Sequence, residues 1–260
     1  MELLFLGTGA SAAHAMKEGE VTPGTPRCSA LLVDKNILID VPLQTYDFSV
    51  KLQEDPSLVT DIFLTHSHGD HFSKVALMQF ASAAKQKINF WCHSGFAPYL
   101  TLTEEERKLV NVCPVEAMQQ WETGGMKVTA LPANHLVAPR PEEQPLHYIF
   151  EKDGKALFYG CDGGWFQAKT WEHLRKREPL DAIVLDATEG DHDGSFRMGT
   201  HNTIPMLRLI NAALLENKIL KEDNVRVASH IGPNLHEEDY PERLAAIGMI
   251  TAYDGMRMES

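Results

Sequence analysis

Residues 64–71 read LTHSHGDH, which places His66, His68, Asp70 and His71 within six positions. Imidazole nitrogens and a carboxylate at that density form a donor set for a divalent cation of the zinc type. The apolar run before them, 62–64, reads as the end of a buried strand. In an extended chain residues 66, 68 and 70 project to one side and residue 71 to the other. Gly69 permits a tight turn that gathers them. Two imidazoles at i and i+2 can then reach one ion while Asp70 and His71 reach a second. Two-metal hydrolytic sites hold their ions about 3.5–4 Å apart, so one short loop feeding both is geometrically sensible. The competing reading is a solvated histidine loop, and four ligand-type side chains at one strand end argue against it.

Such side chains need rigid elements to carry them. Short apolar runs predict strands over 2–6, 29–33, 36–41, 61–65, 88–92, 127–131, 147–151, 156–159, 182–186, 225–229 and 249–252. Asp34-Lys35 and Asp153-Gly154 are turn signals between paired runs and predict hairpins. Helices are predicted over 73–85, 203–217 and 237–247, with a weaker pattern over 164–176. Ser73 reads as an N-cap, with Leu77, Phe80, Ala81 and Ala84 on one face. Asn202 or Thr203 caps the second helix, Pro205 lies in its first turn, and Leu207, Ile210 and Leu214 face inward. The third stops at Gly248. Two stretches, 7–27 and 187–200, read as long loops, which in a compact domain are usually functional or disordered.

With 260 residues the chain is long enough to bury a sizeable core. Its 24 basic and 36 acidic side chains give a net charge of −12, which disfavours broad nucleic-acid binding and anionic lipid surfaces. No apolar run reaches the roughly 20 residues of a membrane span. The opening MELLFLGTGAS turns glycine-rich too soon for a signal peptide, so a cytoplasmic location is expected. Cys28, Cys92, Cys113 and Cys161 are widely spaced without a CxxC pair, so reduced thiols are expected. Histidine, at twelve, is the compositional outlier.

THSHGDH resembles the HxHxDH signature of the metallo-β-lactamase superfamily. The resemblance implies an α/β fold, a four-layer αβ/βα sandwich of two mixed β-sheets flanked by helices, as one domain over 1–260. It places the metals at one edge, between the sheets. Three further ligands are sought after strands, and TALPANH supplies His135, LFYGCDGG supplies Asp162 and VRVASHIGPN supplies His230. By resemblance His66, His68 and His135 hold one ion, Asp70, His71 and His230 hold the other, and Asp162 bridges them. Two divalent ions are therefore the expected cofactors, zinc first, with manganese or iron also suited to these donors. Two cations flanking one water lower its pKa toward neutrality and supply a hydroxide nucleophile.

LLFLGTGAS followed by SALLVDKNILIDVP resembles the opening of the branch that includes the phosphoribosyl cyclic phosphodiesterase and tRNase Z. GMITAYDGM resembles the close of unassigned members. That branch implies a phosphodiesterase acting on a small, cyclic phosphodiester, with Asp70 and His201 as catalytic residues. His201, in MGTHNT, matches a histidine that assists leaving-group departure, because an alkoxide leaves poorly without a proton. Asp40, ending a strand in LIDVP, is implied to orient metal-site histidines. One departure stands out. The cyclic phosphodiesterase carries a cysteine cluster for a structural zinc after its opening strand, and here that stretch holds only Cys28.

Arg140 and Arg197 could meet a substrate phosphate bidentately, although surface arginines are common. GTGAS lacks the GK[ST] ending of a phosphate loop. His14, His192 and His236 read as surface residues, and His93, His147 and His173 as structural ones. Trp165 and Phe166 are expected to pack a helix. The expected partner is a small-molecule phosphodiester, with a homodimer left open. Three alternatives remain. A tRNA 3′-processing endoribonuclease needs a basic RNA-binding arm, and no long basic insertion is seen. A thioester or lactam hydrolase predicts an added helical region or a signal peptide. A non-catalytic metal-binding protein for cofactor assembly need not keep a complete ligand set.

Overall fold

Alternation along the first strand shows how the layers form. In β1 (Glu2–Gly7), Leu3 and Phe5 enter one buried cluster while Leu4 and Leu6 enter another, the period of two of an extended chain. The first cluster lies between two sheets, joining Leu3, Phe5, Leu31 and Phe63 to Val128, Phe150, Leu157 and Val184. The structure is a computed structural model and describes residues 1–10, 27–191, 196–232 and 239–260.

Among the described residues there are two seven-stranded sheets. The first runs β1, β2 (Ala30–Val33), β3 (Ile37–Ile39), β4 (Asp61–Phe63), β5 (Ile88–His93) and β6 (Val110–Val115), with β14 (Arg257–Glu259) on the far side of β1. The second runs β7 (Gln120–Thr123), β8 (Met126–Pro132), β9 (Leu146–Lys152), β10 (Lys155–Gly160), β11 (Leu180–Ala187), β12 (Leu220–Ile231) and β13 (Ile250–Thr251). Both sheets are mixed: β3 through β6 pair in parallel, as do β10 through β13, and the remaining neighbours are antiparallel.

Helices cover the outer faces. Phe48 of α1 (Thr45–Lys51) and Leu77 and Phe80 of α2 (Lys74–Ala83) pack on Leu4, Leu6 and Leu38 of the first sheet. The short α3 (Glu104–Leu109) opens with a capping box between Thr103 and Glu106. Leu174 of α4 (Ala168–Lys176), Leu207, Ile210 and Leu214 of α5 (Ile204–Glu216) and Leu244 of α6 (Tyr240–Ala246) cover Phe158, Ile183 and Leu185 of the second sheet. This is the αβ/βα sandwich expected from the resemblance.

Both hairpin turns form. Asp34 and Lys35 have φ of 46° and 66°, and Asp153 and Gly154 have 50° and 75°, the doubly positive pattern of type I′ turns. Ser73 and Thr203 cap α2 and α5 through their side chains, and Gly248 ends α6 with φ 75°. Besides three short 3-10 helices (Pro56–Leu58, Ala97–Tyr99 and Phe196–Gly199), three strands and two α-helices were not anticipated: β6, β7, β14, α1 and α3. The three strands are sheet edges with half-exposed, polar or proline-bearing sequence, so alternation is weak there. The two helices have six or seven residues, too short for a helical period to show. The weaker helix starts at Ala168, not at 164, because 162–167 serve a site loop. Most of the loop expected over 7–27, part of that over 187–200, and the start of the helix expected over 237–247 lie outside the described residues, as do His14, His192 and His236.

Candidate metal centre

Each ligand-type side chain follows or ends a strand. β4 leads to His66, His68, Asp70 and His71, β8 to His135 and β10 to Asp162, while His230 lies near the end of β12. β8, β10, β11 and β12 run in one direction and finish at a common edge, the usual place for sites in such sheets. The two sheets are tied there, since the Leu146 N–H donates to the Thr65 carbonyl at 2.8 Å and the Tyr148 hydroxyl to that of Leu64 at 2.7 Å. The 68–71 turn closes by donation from the His71 and Phe72 N–H groups to the His68 carbonyl. Glycine is not what the turn requires, because a Cβ on Gly69 would meet nothing within 4 Å.

The donors fall into two groups around one carboxylate. His66 Nε2 lies 2.8 Å from His68 Nδ1, which lies 3.3 Å from His135 Nε2. His71 Nε2 lies 3.1 Å from His230 Nε2, and each is 3.9 Å from Asp70 Oδ2. Asp162 Oδ2 stands between the groups, at 3.6 Å from His66, 3.4 Å from His135, 3.7 Å from His71 and 3.8 Å from His230.

The opposite ring nitrogens explain which atoms are left for a cation. His71 Nδ1 donates to Asp40 Oδ2 at 2.7 Å, and His135 Nδ1 donates to the Thr200 carbonyl at 3.2 Å. His230 Nδ1 lies 2.7 Å from Thr188 Oγ1 and 3.3 Å from Asp186 Oδ2. With Nδ1 holding its proton toward these partners, Nε2 is the ring atom that His71, His135 and His230 turn inward, toward the other imidazoles and Asp162. These groups of imidazole and carboxylate atoms could hold a metal ion. The donor chemistry, imidazole and carboxylate without thiolate, fits divalent ions of the zinc, manganese or iron type.

Backbone geometry supports the same atoms. Asp40 and His230 both adopt left-handed conformations, with φ of 61° and 55°, which side-chain-bearing residues rarely hold unless their surroundings impose it. Asp40 is fully buried and also accepts the Thr65 N–H at 2.8 Å and the Thr65 hydroxyl at 2.9 Å.

Electrostatics divide the histidines. Burial and the neighbouring imidazoles push His66 far down, and burial with His135 pushes His68 down to about 4. His135 is lowered chiefly by burial. For His71 burial works against the charge, but Asp40, Asp70 and Asp162 outweigh it and raise the group to about 9. His201 follows the same logic. Burial opposes its charge, yet Asp162 and Asp186 raise it to about 10. Burial alone would raise Asp162, but His230, His135 and His201 hold it well below the usual carboxylate range.

The sequence-predicted residues sort by position. His201 Nδ1 lies 2.7 Å from Asp162 Oδ1 and 3.0 Å from Asp186 Oδ2, so its Nε2 is left for other contacts. Arg140 is directed to Ser67 and Glu143, and Arg197 Nη1 lies 3.1 Å from Glu189 Oε1. Phe166 is buried against Trp171 of α4 and Trp165 lies tilted against the same ring, so both pack that helix. His147, fully buried, faces the Asp162 carbonyl at 3.3 Å. Sequence reasoning missed Asp186, Thr188 and Glu143. Asp186 had a signal, since it ends the apolar run LDAIVLDA just as Asp40 ends ILID. Glu143 had none.

A family model described as the beta-lactamase superfamily domain matches residues 35–220. Among solved structures, the chain is similar to a diphosphatase from the PhnP family at 19% identity and TM-score 0.73, over 99% of this chain and 96% of that one. It is similar to the Zn²⁺-bound PqqB from Methylobacterium extorquens at 17% identity and TM-score 0.74, over 100% of both chains. The short form of human tRNase Z aligns at 18% identity and TM-score 0.72, over 100% of this chain and 99% of that one. At these identities the likeness is one of fold. No curated protein matches the chain in sequence.

Proposed function

The chain belongs to the beta-lactamase superfamily, and from that premise we propose that it is a dinuclear metal-dependent hydrolase of small phosphodiesters. The observation that carries the reading is the placement of Asp162 Oδ2 within 3.4–3.8 Å of four imidazole nitrogens that divide into two groups. His66, His68 and His135 would hold one ion, Asp70, His71 and His230 the other, and Asp162 both. When bound, such ions supply Lewis acidity, easing the ionisation of a water near neutral pH and offsetting charge on oxygen.

The chain's own residues supply the rest. His201 keeps a proton on Nδ1 between two carboxylates, which sustains its positive charge and makes Nε2–H a donor toward a leaving oxygen. Asp186 binds His201 and His230 at once and so fixes both rings. The phosphodiester choice draws on the likeness to a PhnP-family diphosphatase and to a tRNase Z. A net charge of −12 favours a small substrate over a polyanion. The test is hydrolysis of bis(p-nitrophenyl) phosphate by zinc- or manganese-loaded protein. Turnover that His68→Ala abolishes is expected, and no turnover above that variant would overturn the reading.

A further inference from the structure

Ser67 separates His66 from His68, and on an extended backbone its side chain projects away from theirs. What grips Ser67 therefore sets where the two imidazoles point. The grip comes from one segment, 140–143. Glu143 Oε1 accepts the Ser67 N–H at 2.7 Å, and Glu143 Oε2 accepts the Ser67 hydroxyl. Arg140 Nε donates to Ser67 Oγ at 2.7 Å, and Arg140 Nη2 donates to the Ser67 carbonyl at 3.0 Å. Every polar atom of Ser67 is thus bound from across the site. Glu143 is only 4% exposed, and its charge is balanced by Arg140 Nε at 3.2 Å. A carboxylate is costly to bury, and pairing with satisfied hydrogen bonds is what makes it tolerable.

The segment is itself seated on the first sheet. A Cβ on Gly95 would lie 2.2 Å from the Glu142 carbonyl oxygen, so only glycine allows the backbones to approach this closely. His93 Nδ1 accepts the Gln144 N–H at 3.3 Å, and the Arg140 guanidinium lies over the Phe96 and Tyr99 rings at 5.7 and 5.9 Å. The same segment descends from His135, so it connects a ligand from the second sheet to the ligand pair from the first.

We propose that Glu143, braced by Arg140, is a positioning residue that holds His66 and His68 in liganding geometry before an ion arrives. Preorganisation of this kind removes an ordering cost from binding. The proposal rests on the metal-centre reading above, and it assigns Arg140 to the protein scaffold instead of the substrate.

The test is titration of the metal-free 260-residue chain with Co²⁺, followed by visible absorption, for wild type, Glu143→Ala and Glu143→Gln. Leu214→Ala, in the core under α5, serves as a destabilised control far from the loop. Affinity at the His66, His68 and His135 group should fall about 10–100-fold in Glu143→Ala, with an altered absorption band. Glu143→Gln, which keeps an acceptor for the Ser67 N–H, should lie between. Leu214→Ala should bind as wild type. Unchanged affinity and spectrum in Glu143→Ala, or an equal loss in Leu214→Ala, would overturn this proposal alone. Wild-type protein that takes up no cobalt would overturn the metal-centre reading and this proposal with it.

Discussion

Asp40 Oδ2 lies 2.7 Å from His71 Nδ1, with both side chains fully buried. The second sheet repeats the relationship, with Asp186 Oδ2 3.3 Å from His230 Nδ1. Each carboxylate stands at or just after a strand end and is bound by a threonine, Thr65 for Asp40 and Thr188 for Asp186. The two facing imidazoles are thus oriented from opposite sides by matching devices.

Asp40→Asn should weaken binding of the ion proposed at Asp70, His71 and His230 by about 10–100-fold, leaving the other group intact. An asparagine amide keeps an oxygen for Thr65 but offers N–H to His71 Nδ1, which reverses the tautomer. Calorimetric titration with Zn²⁺ checks this, and two undiminished binding events would remove Asp40 from the role.

Asp186→Asn should move the alkaline limb of the kcat–pH profile to lower pH. Burial opposes the charge on His201, and Asp162 with Asp186 restores it, to about 10. Removing one carboxylate lowers that value, so the proton donor is lost earlier as pH rises. A limb that stays in place would count against His201 as the donor.

Metal-free protein should be most stable near pH 6.5–7. His71 and His201 are raised in the folded state, to about 9 and about 10, so their contribution is complete below about 6.5 and is lost as pH rises through those values. His68 and His147, pushed down to about 4 by burial above all, act oppositely, and stability falls as pH drops from about 6.5 toward 4. Thermal melts in chelator across pH 4–10 should show this maximum. Added zinc should flatten its alkaline side, because ligation replaces the protons. A chelated protein whose Tm is level from pH 7 to 9.5 would contradict the assignment.

Cys113 should be the thiol that reacts first in the native protein. Burial raises Cys28 and Cys92 to about 12 and holds Cys161 well above the usual thiol range, whereas Cys113 is half-buried on the edge strand β6. Timed labelling with a disulfide reagent at pH 8, followed by peptide mapping, gives the order. Early labelling of Cys161 would show that the inter-sheet core opens readily.

Leu214→Ala should cost about 2–5 kcal/mol, since the side chain is fully buried between α5 and the second sheet. Urea unfolding measures it, and a loss below 1 kcal/mol would mean that this face repacks.

Local signals in the chain were enough for much of this protein. A strand ending in ligand-type residues is visible in 61–71 because burial selects apolar side chains and the polar switch marks the edge. The hairpins at Asp34 and Asp153, the caps at Ser73 and Thr203, and the core faces of α2 and α5 each depend on neighbours a few positions away. Edge strands β6, β7 and β14 lacked that legibility, since one side of each meets solvent and relaxes the pattern.

Local pattern alone marked the candidate donors and the strands that deliver them: His66, His68, Asp70, His71, His135, Asp162 and His230. Tertiary structure alone decided which nitrogen of each ring faces the others, that Asp186 spans His201 and His230, and that Arg140 turns to Ser67. The physical reason is that a hydrogen-bond partner is chosen by where strands align across two sheets. Glu143 meets Ser67 from 76 positions away, and His230 meets His71 from 159, separations at which no local pattern carries information.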